Sequence, residues 1–312
     1  MKLSTSILAL FLTQQATAYV TLKAGVSRKT ALYSSWDRDQ GGATVSPYSN
    51  YRSDSTPNSS DANIAGTRTS FTLDNMVVSE SAREAWLATW EALEPAVRVQ
   101  GGALKTWSYS DPDIERVYLA MTTEGPPEGN PLKVDIELNQ GPDNTPQKMK
   151  VYSGKGRLRP FKMWIETPGP SSAVFVRNES PVEFPCVCGV GAETASAGEA
   201  GLIPLSNAIY EMSPEQLVQG AGGVRSYDLD PAVKSVRIVM KTDGRPLNAK
   251  IELVQGPNAP KYTVDIYSED GDMRPFVCVL ETPGAGNVVR VLNSAPLEFP
   301  CLASVGPSVD VP

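Results

Sequence analysis

The sequence predicts a mainly β protein in which two tandem, homologous antiparallel β-sandwich-like modules form a pseudo-two-fold pair, with a short amphipathic helix before each module. The first observation is an internal repeat, because four motifs return at one offset of about 115 residues. They are Ile-Glu-Leu-x-Gln-Gly-Pro from Ile136 and Ile251, Arg-Pro-Phe from Arg159 and Arg274, Glu-Thr-Pro-Gly from Glu166 and Glu281, and Glu-Phe-Pro-Cys from Glu183 and Glu298. The second is a series of short apolar runs, broken about every ten residues by Gly-Pro, Asp-Gly or Pro-Gly, as in an antiparallel sandwich or barrel.

The N-terminal segment has the composition of a two-part targeting signal. Residues 1–18 combine an early lysine, an apolar run and an Ala-x-Ala site ending at Ala18, as in a signal peptide. Residues 19–36 are basic, contain serine and lack any acid, as in a transit peptide. We therefore expect cleavage after Ala18 and delivery to a plastid. The alternative is an ordinary secreted protein, which the glycosylation sequons at Asn58 and Asn178 keep open.

A spacer and a helix follow this signal. Residues 37–68 are rich in Ser, Asn, Asp, Gly, Thr and Pro, a composition that predicts a disordered spacer. Ser81 and Glu84 form a capping box, after which apolar residues, including two tryptophans, recur at helical spacing. A counterpart helix, interrupted by Pro214, is expected near Ala208–Leu217, before the second module.

The two modules, each with its helix, are expected over residues 69–192 and 193–306. Inside them, matching apolar runs predict strands. These are Val117–Met121 with Val236–Met240, Phe161–Ile165 with Phe276–Leu280, Val174–Val176 with Val289–Val291, and the alternating run Val134–Leu138. Phe276–Leu280 is more apolar than its counterpart, so we expect it to be more deeply buried. Residues Pro126–Asn130 predict a longer hairpin loop in the first module only.

The repeated motifs supply the candidate fold and assembly residues. These are Arg159, Phe161, Glu166, Glu183 and Phe184 in the first module, and Arg274, Phe276, Glu281, Glu298 and Phe299 in the second. Each arginine is expected to form a buried ion pair with a motif glutamate of its own module. The Gln-Gly-Pro and Glu-Thr-Pro-Gly segments are most simply turns that need Gly and Pro. Glu183 and Glu298 are not interpreted as a catalytic carboxylate pair, because pseudo-symmetry is expected to hold them far apart.

Residues 307–312 form a C-terminal tail. The segment from Ser304 onward follows the last repeated motif, so we expect it to contribute to assembly rather than to the fold of its own module. Its two prolines favour an extended form that loses little entropy on docking. The candidate connector residues are Val305, Pro307, Val309 and Val311. A frayed terminus is the alternative.

Composition narrows the function classes. The chain has a net charge of −7 and no histidine. The acidic balance argues against nucleic-acid binding, and the missing histidine excludes serine-histidine and cysteine-histidine nucleophiles. No catalytic, cofactor-binding or metal-binding residue is predicted, and a histidine-free hydrolase or isomerase is the enzyme class that stays open. No segment after the signal peptide is long and apolar enough to predict a membrane span.

The four cysteines are interpreted as buried free thiols. Cys186 and Cys301 occupy matching repeat positions, and Cys188 shares a strand face with Cys186. Cys278 is the fourth. Neither a paired Cys-x-x-Cys motif nor a histidine is present to complete a zinc site, and free thiols fit a reducing compartment.

The doubled motifs behind a plastid-type signal resemble the pyrenoid shell proteins of diatoms, over roughly Arg98 to Gly306. The resemblance implies a β-rich, non-enzymatic protein that self-assembles into a two-dimensional lattice around the Rubisco condensate. It implies a location in the chloroplast stroma at the periphery of the pyrenoid, and a role in the CO2-concentrating mechanism and carbon fixation. The implied partners are further copies of the chain, the Rubisco matrix and related shell proteins.

A tandem β-sandwich protein that binds a ligand such as a carbohydrate, in the plastid or the secretory pathway, is the alternative. Exposed Trp107 or Trp164 would support it as a platform for stacking. Neither tryptophan recurs in the second module, which disfavours two equivalent binding sites.

Overall fold

The computed structural model describes residues 67–71, 93, 96–168, 171–194, 214–256 and 260–308, all within one compact unit. The regular elements of these ranges are strands in two sheets, which confirms the prediction of a mainly β protein. The first sheet has the spatial order β1 (Thr67–Phe71), β11 (Gly223–Leu229), β16 (Asn287–Asn293), β13 (Leu247–Gln255), β14 (Tyr262–Ser268), β6 (Gln147–Ser153), β5 (Leu132–Gln140), β8 (Ser172–Asn178) and β3 (Leu104–Tyr109).

The second sheet has the spatial order β10 (Gln216–Val218), β17 (Cys301–Pro307), β12 (Ser235–Lys241), β15 (Phe276–Glu281), β7 (Phe161–Glu166), β4 (Ile114–Thr123), β9 (Cys186–Thr194) and β2 (Val97–Val99). The two modules contribute eight strands to each sheet and pair them antiparallel. Only β1 is parallel to its neighbour among the described strands, and it extends the first sheet at the edge of β11. The described part of the chain holds no helix of the length and apolarity that a bilayer span requires.

The strand order in each sheet is symmetric about its centre. β6 and β14 occupy equivalent repeat positions and pair with each other, as do β7 and β15 in the second sheet. The register places Lys150 opposite Asp265 and Met163 opposite Cys278, and each of these pairs joins equivalent positions of the repeat. A pseudo-two-fold axis therefore passes through the centre of both sheets. Because each sheet runs without interruption from one module to the other, the modules are joined by backbone hydrogen bonds.

The inner faces of the two sheets form the core. Residues of β6 and β14 alternate between buried and exposed, as expected for strands with one solvated face. Phe161 of the second sheet contacts Tyr262 of the first, with ring centroids 6.1 Å apart. The side chains from Phe276 to Leu280 are all fully buried, which confirms the expectation of deeper burial for this run. A single apolar cluster extends across both modules.

Both predicted helices lie outside the described residues, except at their C-terminal ends. The first one is represented by Leu93 alone, which is 7% exposed and packs against Gly189 of β9, where an added Cβ would lie 2.5 Å from the Leu93 carbonyl oxygen. The second, predicted near Ala208–Leu217, lies outside the described residues up to residue 213. From Gln216 the chain forms β10, which pairs with β17.

Two further expectations concern connections. The longer hairpin of the first module is confirmed, since residues 124–131 connect β4 to β5 while residues 242–246 connect β12 to β13. The expectation for the C-terminal tail is wrong for Ser304 to Pro307. These residues belong to β17, which pairs with both β10 and β12, and Val305 is fully buried. Val309 and Val311 lie outside the described residues.

Candidate functional site

A hydrogen-bond network crosses the junction between the modules twice. Arg159 donates from Nη2 to Oε1 of Gln255 at 2.9 Å, and Gln255 donates from Nε2 to the carbonyl of Pro283 at 3.0 Å. The equivalent Arg274 donates to Oε1 of Gln140, and Gln140 donates to the matching proline carbonyl at 2.9 Å. Both arginines are buried. The arginine of each Arg-Pro-Phe motif is thus bonded to the Gln-Gly-Pro turn of the other module. The glutamine of that turn is in turn bonded to the Glu-Thr-Pro-Gly turn of its own module.

The ion pairs of the motif glutamates differ from those expected. Glu166 pairs with Arg116 at 2.8 Å, and Glu281 pairs with Lys162 of the other module at 3.4 Å. The expectation that the motif arginines would pair with glutamates of their own module is therefore wrong, since those arginines reach across the pseudo-two-fold axis to glutamine. Burial raises the pKa of Glu166, and the charge of Arg116 opposes that shift.

Replacing Arg159 or Arg274 by alanine is expected to lower the free energy of unfolding by about 1–3 kcal/mol, because a partly buried glutamine oxygen loses its donor. Urea titration of each variant measures the change. Arg157→Ala is the matched control, since Arg157 is exposed two residues from Arg159 and its loss should cost about 0.5 kcal/mol or less. Equal losses in all three variants would refute a specific role for the junction network.

Each Glu-Phe-Pro-Cys motif closes a turn that connects the first sheet to the second. The N–H of Phe184 donates to the carbonyl of Pro181 at 2.9 Å, and the same bond recurs at Phe299 at 3.0 Å. Glu183 and Glu298 are exposed in these turns. The turns lie between β8 and β9 in the first module and between β16 and β17 in the second.

Two asparagines that sequence reasoning did not assign to the site hold these turns. Asn178 donates from Nδ2 to the carbonyls of Val99 and Phe184 at 3.0 Å each, and its Oδ1 accepts the N–H of Ser180 at 3.0 Å. Asn293 makes the equivalent three bonds at 2.9–3.0 Å, and neither side chain is exposed. The sequence does contain a pattern that marks them, because an Asn followed by a Pro three residues later occurs at equivalent positions of both modules. A glycan on the buried Nδ2 of Asn178 would disrupt this bonding, which removes support for a secreted protein at that sequon.

Exposed apolar side chains recur at equivalent positions of both modules. Six of the eight large apolar side chains that are exposed in the described part of the chain fall into such pairs. The pairs, with exposed fractions, are Tyr152 and Tyr267 (42% and 40%), Leu158 and Met273 (37% and 52%), and Val182 and Leu297 (65% and 58%). The repeat therefore places equivalent exposed apolar side chains at three positions of each module.

The duplicated positions lie at opposite ends of the sandwich. β6 and β14 are antiparallel, so the loops that follow them lie at opposite ends. β6 and β8 are both antiparallel to β5 and therefore finish at the same end. We call residues 154–160 and 179–185 the first end, and residues 269–275 and 294–300 the second end. The first end carries Leu158 and Val182, and the second end carries their equivalents.

A shallow cavity of about 490 Å³ lies at the first end, where the modules meet. Its lining includes Lys155, Arg159, Gln255 and Lys261, so its charged side chains are all basic. Among the described residues no cluster of three His, Cys, Asp or Glu side chains is placed to hold a metal ion.

Neither Trp107 nor Trp164 forms the open platform that carbohydrate binding needs. Trp164 is 1% exposed and packs beneath Arg116, whose guanidinium carbon lies 5.9 Å from the ring centroid. Trp107 is partly buried against the core. The alternative of a tandem carbohydrate-binding protein therefore loses the feature that supported it.

All four cysteines are free and buried, which confirms the interpretation of the thiols. Burial raises the pKa of Cys186 to about 11 and that of Cys301 to about 12. It also raises the pKa values of Cys188 and Cys278. The thiols are therefore protonated at neutral pH and act as small apolar side chains.

Comparison with known proteins gives one match to a family. The model of the diatom pyrenoid shell protein family matches residues 90–307, which contain β2 to β17. No curated protein matches the chain.

Two solved structures show a distant likeness to this chain. A223, a turret protein of Sulfolobus turreted icosahedral virus, is 12% identical over 67% of this chain and 93% of its own, with a TM-score of 0.17. The 11S allergen of Cocos nucifera is 9% identical over 68% of this chain and 80% of its own, with a TM-score of 0.16. Scores this low support no argument about function.

Proposed function

Because this chain belongs to the diatom pyrenoid shell protein family, we propose that it self-assembles into a sheet-like shell around the pyrenoid, the Rubisco condensate of the chloroplast. Such a shell holds the condensate together and helps to keep concentrated CO2 near the enzyme, and so supports the CO2-concentrating mechanism and carbon fixation. The role is structural, and no residue is assigned to catalysis.

The observation that carries this proposal is the duplicated apolar surface. Val182 and Leu297 occupy equivalent turns at opposite ends of the sandwich, and more than half of each side chain is exposed. Burial of such a side chain in a contact contributes about 1.5–3 kcal/mol. Two such contacts per copy would together contribute about 3–6 kcal/mol to a repeated association.

The pseudo-two-fold axis supports an association that extends instead of stopping at a dimer. Each copy offers two similar surfaces that face in opposite directions, so a neighbour bound at one end leaves the other end available. Contacts of this kind continue until a rotation closes them, and they form open arrays when it does not. The acidic balance of the chain keeps unassembled copies apart in solution.

The family implies a pyrenoid-associated location in the chloroplast. We propose that the chain reaches it through the signal peptide of residues 1–18 and the transit-like segment of residues 19–36, and acts in the stroma at the pyrenoid periphery. Both segments and the spacer of residues 37–68 lie outside the described residues, except for the first residues of β1. The proposed partners are further copies of the chain, the Rubisco matrix and related shell proteins.

The chain from Asp37 onward, purified alone, is expected to form sheets or tubes that negative-stain electron microscopy shows directly. All the described strands lie in residues 67–308 within one compact unit, so removal of residues 1–36 removes none of them. A chain that stays monomeric at high concentration, over a range of salt, would contradict the shell function.

A further inference from the structure

We propose that successive copies of the chain join head to tail, through a basic loop of one copy and an acidic loop of the next. The proposal rests on the self-assembly proposed above and specifies its direction and chemistry. The basic loop is residues 154–160, between β6 and β7, with the sequence Gly-Lys-Gly-Arg-Leu-Arg-Pro. The acidic loop is residues 269–275, between β14 and β15, with the sequence Glu-Asp-Gly-Asp-Met-Arg-Pro.

Equivalent hydrogen bonds hold the two loops in the same conformation. Ser153 donates from Oγ to the carbonyl of Arg159 at 3.1 Å, and Ser268 donates to the carbonyl of Arg274 at 3.0 Å. Inside each loop the arginine N–H donates to the carbonyl four residues earlier, at 2.9 Å in the basic loop and 3.0 Å in the acidic loop. The two loops therefore present equivalent side-chain positions on one type of scaffold.

The charges at these equivalent positions are opposite in sign. Lys155 of the basic loop corresponds to Asp270 of the acidic loop, and Arg157 corresponds to Asp272. Arg157 and Asp272 are exposed. Since the fold is the same at both places, it does not require this inversion. Complementary contact between the loops of two copies accounts for it.

Charged residues next to the two loops preserve the difference in sign between them. Lys261 lies beside the basic loop, because its carbonyl accepts an N–H of that loop at 3.1 Å. Glu128 pairs with Lys155 and removes part of the positive charge, which leaves Arg157 and Lys261 in excess. In the acidic loop the exposed Glu269 adds to the two aspartates.

An apolar residue follows Arg157 in the basic loop and Asp272 in the acidic loop. Leu158 is 37% exposed and Met273 is 52% exposed. A basic loop facing an acidic loop brings these side chains together while the charges around them attract. A loop facing its own kind would bring like charges together, which disfavours that contact.

The positions of the loops determine what such a contact builds. The basic loop belongs to the first end of the sandwich and the acidic loop to the second end, because β6 and β14 are antiparallel. A copy bound through its first end therefore keeps its second end free for the next copy. This is a heterologous contact, and its repetition produces a polar row of subunits rather than a closed pair.

The test uses two complementary variants of the chain from residue 37 onward. Lys155→Asp with Arg157→Asp makes both loops acidic. Glu269→Lys with Asp272→Arg makes both loops basic. Asp270 is left unchanged, because its Oδ1 accepts two N–H groups of its own loop at 2.9 and 3.0 Å.

For each variant alone, the fraction of protein that pellets is expected to be at least tenfold smaller than for the unchanged chain at equal concentration. An equimolar mixture of the two is expected to recover assembly with both chains in a one-to-one ratio. High salt should weaken this recovery, since ions screen contacts between exposed charges. The matched control is Lys105→Asp with Lys133→Asp, which alters two exposed lysines outside both loops, shifts the net charge as the acidic variant does, and is expected to assemble normally.

The proposal is overturned if both variants assemble as the unchanged chain does, or if the mixture sediments no better than its components. Failure of the shell function is a separate outcome, seen when the unchanged chain forms no sheets. In that event sedimentation velocity of the mixed variants still decides the matter. A one-to-one complex supports the head-to-tail contact, and no complex overturns it.

Discussion

Replacing Val182 and Leu297 together by aspartate is expected to abolish sheet formation and to leave the fold unchanged. Both side chains stand at turn tips, 65% and 58% exposed, so the folded monomer loses almost no packing. Its free energy of unfolding should change by about 0.5 kcal/mol or less. In an assembly, by contrast, each aspartate replaces a buried apolar side chain with a charge that must be desolvated.

The expected effect on assembly is large. Two lost contacts amount to about 3 kcal/mol or more per copy, which raises the critical concentration for assembly by about 100-fold or more. Pelleting over a concentration series measures this, and thermal melting checks the fold. The matched control exchanges the residues between the modules, Val182→Leu with Leu297→Val, and is expected to assemble normally. Sheets of the aspartate variant at the usual concentration would show that these turns are not contacts.

Strand identity was largely readable from the sequence, because the pattern of one buried and one solvated face is local. The runs from Val117, Val134, Phe161 and Val174 all lie in strands of the first module. Residues Gln147–Ser153 alternate just as clearly and form β6, although they were not among the predicted strands. The three-residue strands at the sheet edges are too short to leave a pattern and exist only through their partners.

The pairing of strands between the two modules could not be predicted from local sequence patterns. In the strand register Lys150 lies opposite Asp265, which is far from it in the chain. Nothing in the sequence of either strand specifies this pairing. The repeat predicted a pseudo-two-fold pair without showing that both sheets would be continuous. The expected ion pairs were wrong for a related reason, since Arg159 has a partner of suitable chemistry in Gln255 of the other module.

The candidate site was partly predictable, because repetition marks positions but not their function. Repetition identified the Glu-Phe-Pro-Cys motifs, and the structure adds that they lie in turns, with the exposed Val182 and Leu297 just before the glutamates. Asn178 was noticed only as a glycosylation sequon. One of its three bonds goes to Val99 in a distant strand, which no local pattern contains.

Replacing Asn178 and Asn293 by alanine is expected to cause the largest loss of stability. Each change leaves two carbonyls and one N–H without their partner in a buried site. An unsatisfied buried group costs about 1–3 kcal/mol, so each variant should lose about 3 kcal/mol or more. For a folded unit of this size that corresponds to a fall in Tm of roughly 6–12 °C. Because the two sites lie in different modules, their effects should add.

Urea titration and thermal melting of the single and double variants measure these losses. Asn248→Ala is the matched control, since Asn248 is exposed on β13 and its loss should cost about 0.5 kcal/mol or less. Asn178→Asp distinguishes the contribution of the two donated bonds from that of the accepted bond, because it keeps the Oδ1 acceptor and loses both N–H donors of Nδ2. We expect it to be nearly as unstable as the alanine variant, since a carboxylate would face two carbonyl oxygens.

The asparagine variants also link stability to assembly. Each asparagine bonds both ends of its turn, from Ser180 to Phe184 in the first module, and so holds the exposed valine or leucine in place. At a temperature where the variant remains folded, a loosened turn must lose entropy before it can form a contact. Assembly should therefore weaken in Asn178→Ala even where the protein is fully folded. Normal assembly together with normal stability would show that these asparagines do not hold the turns.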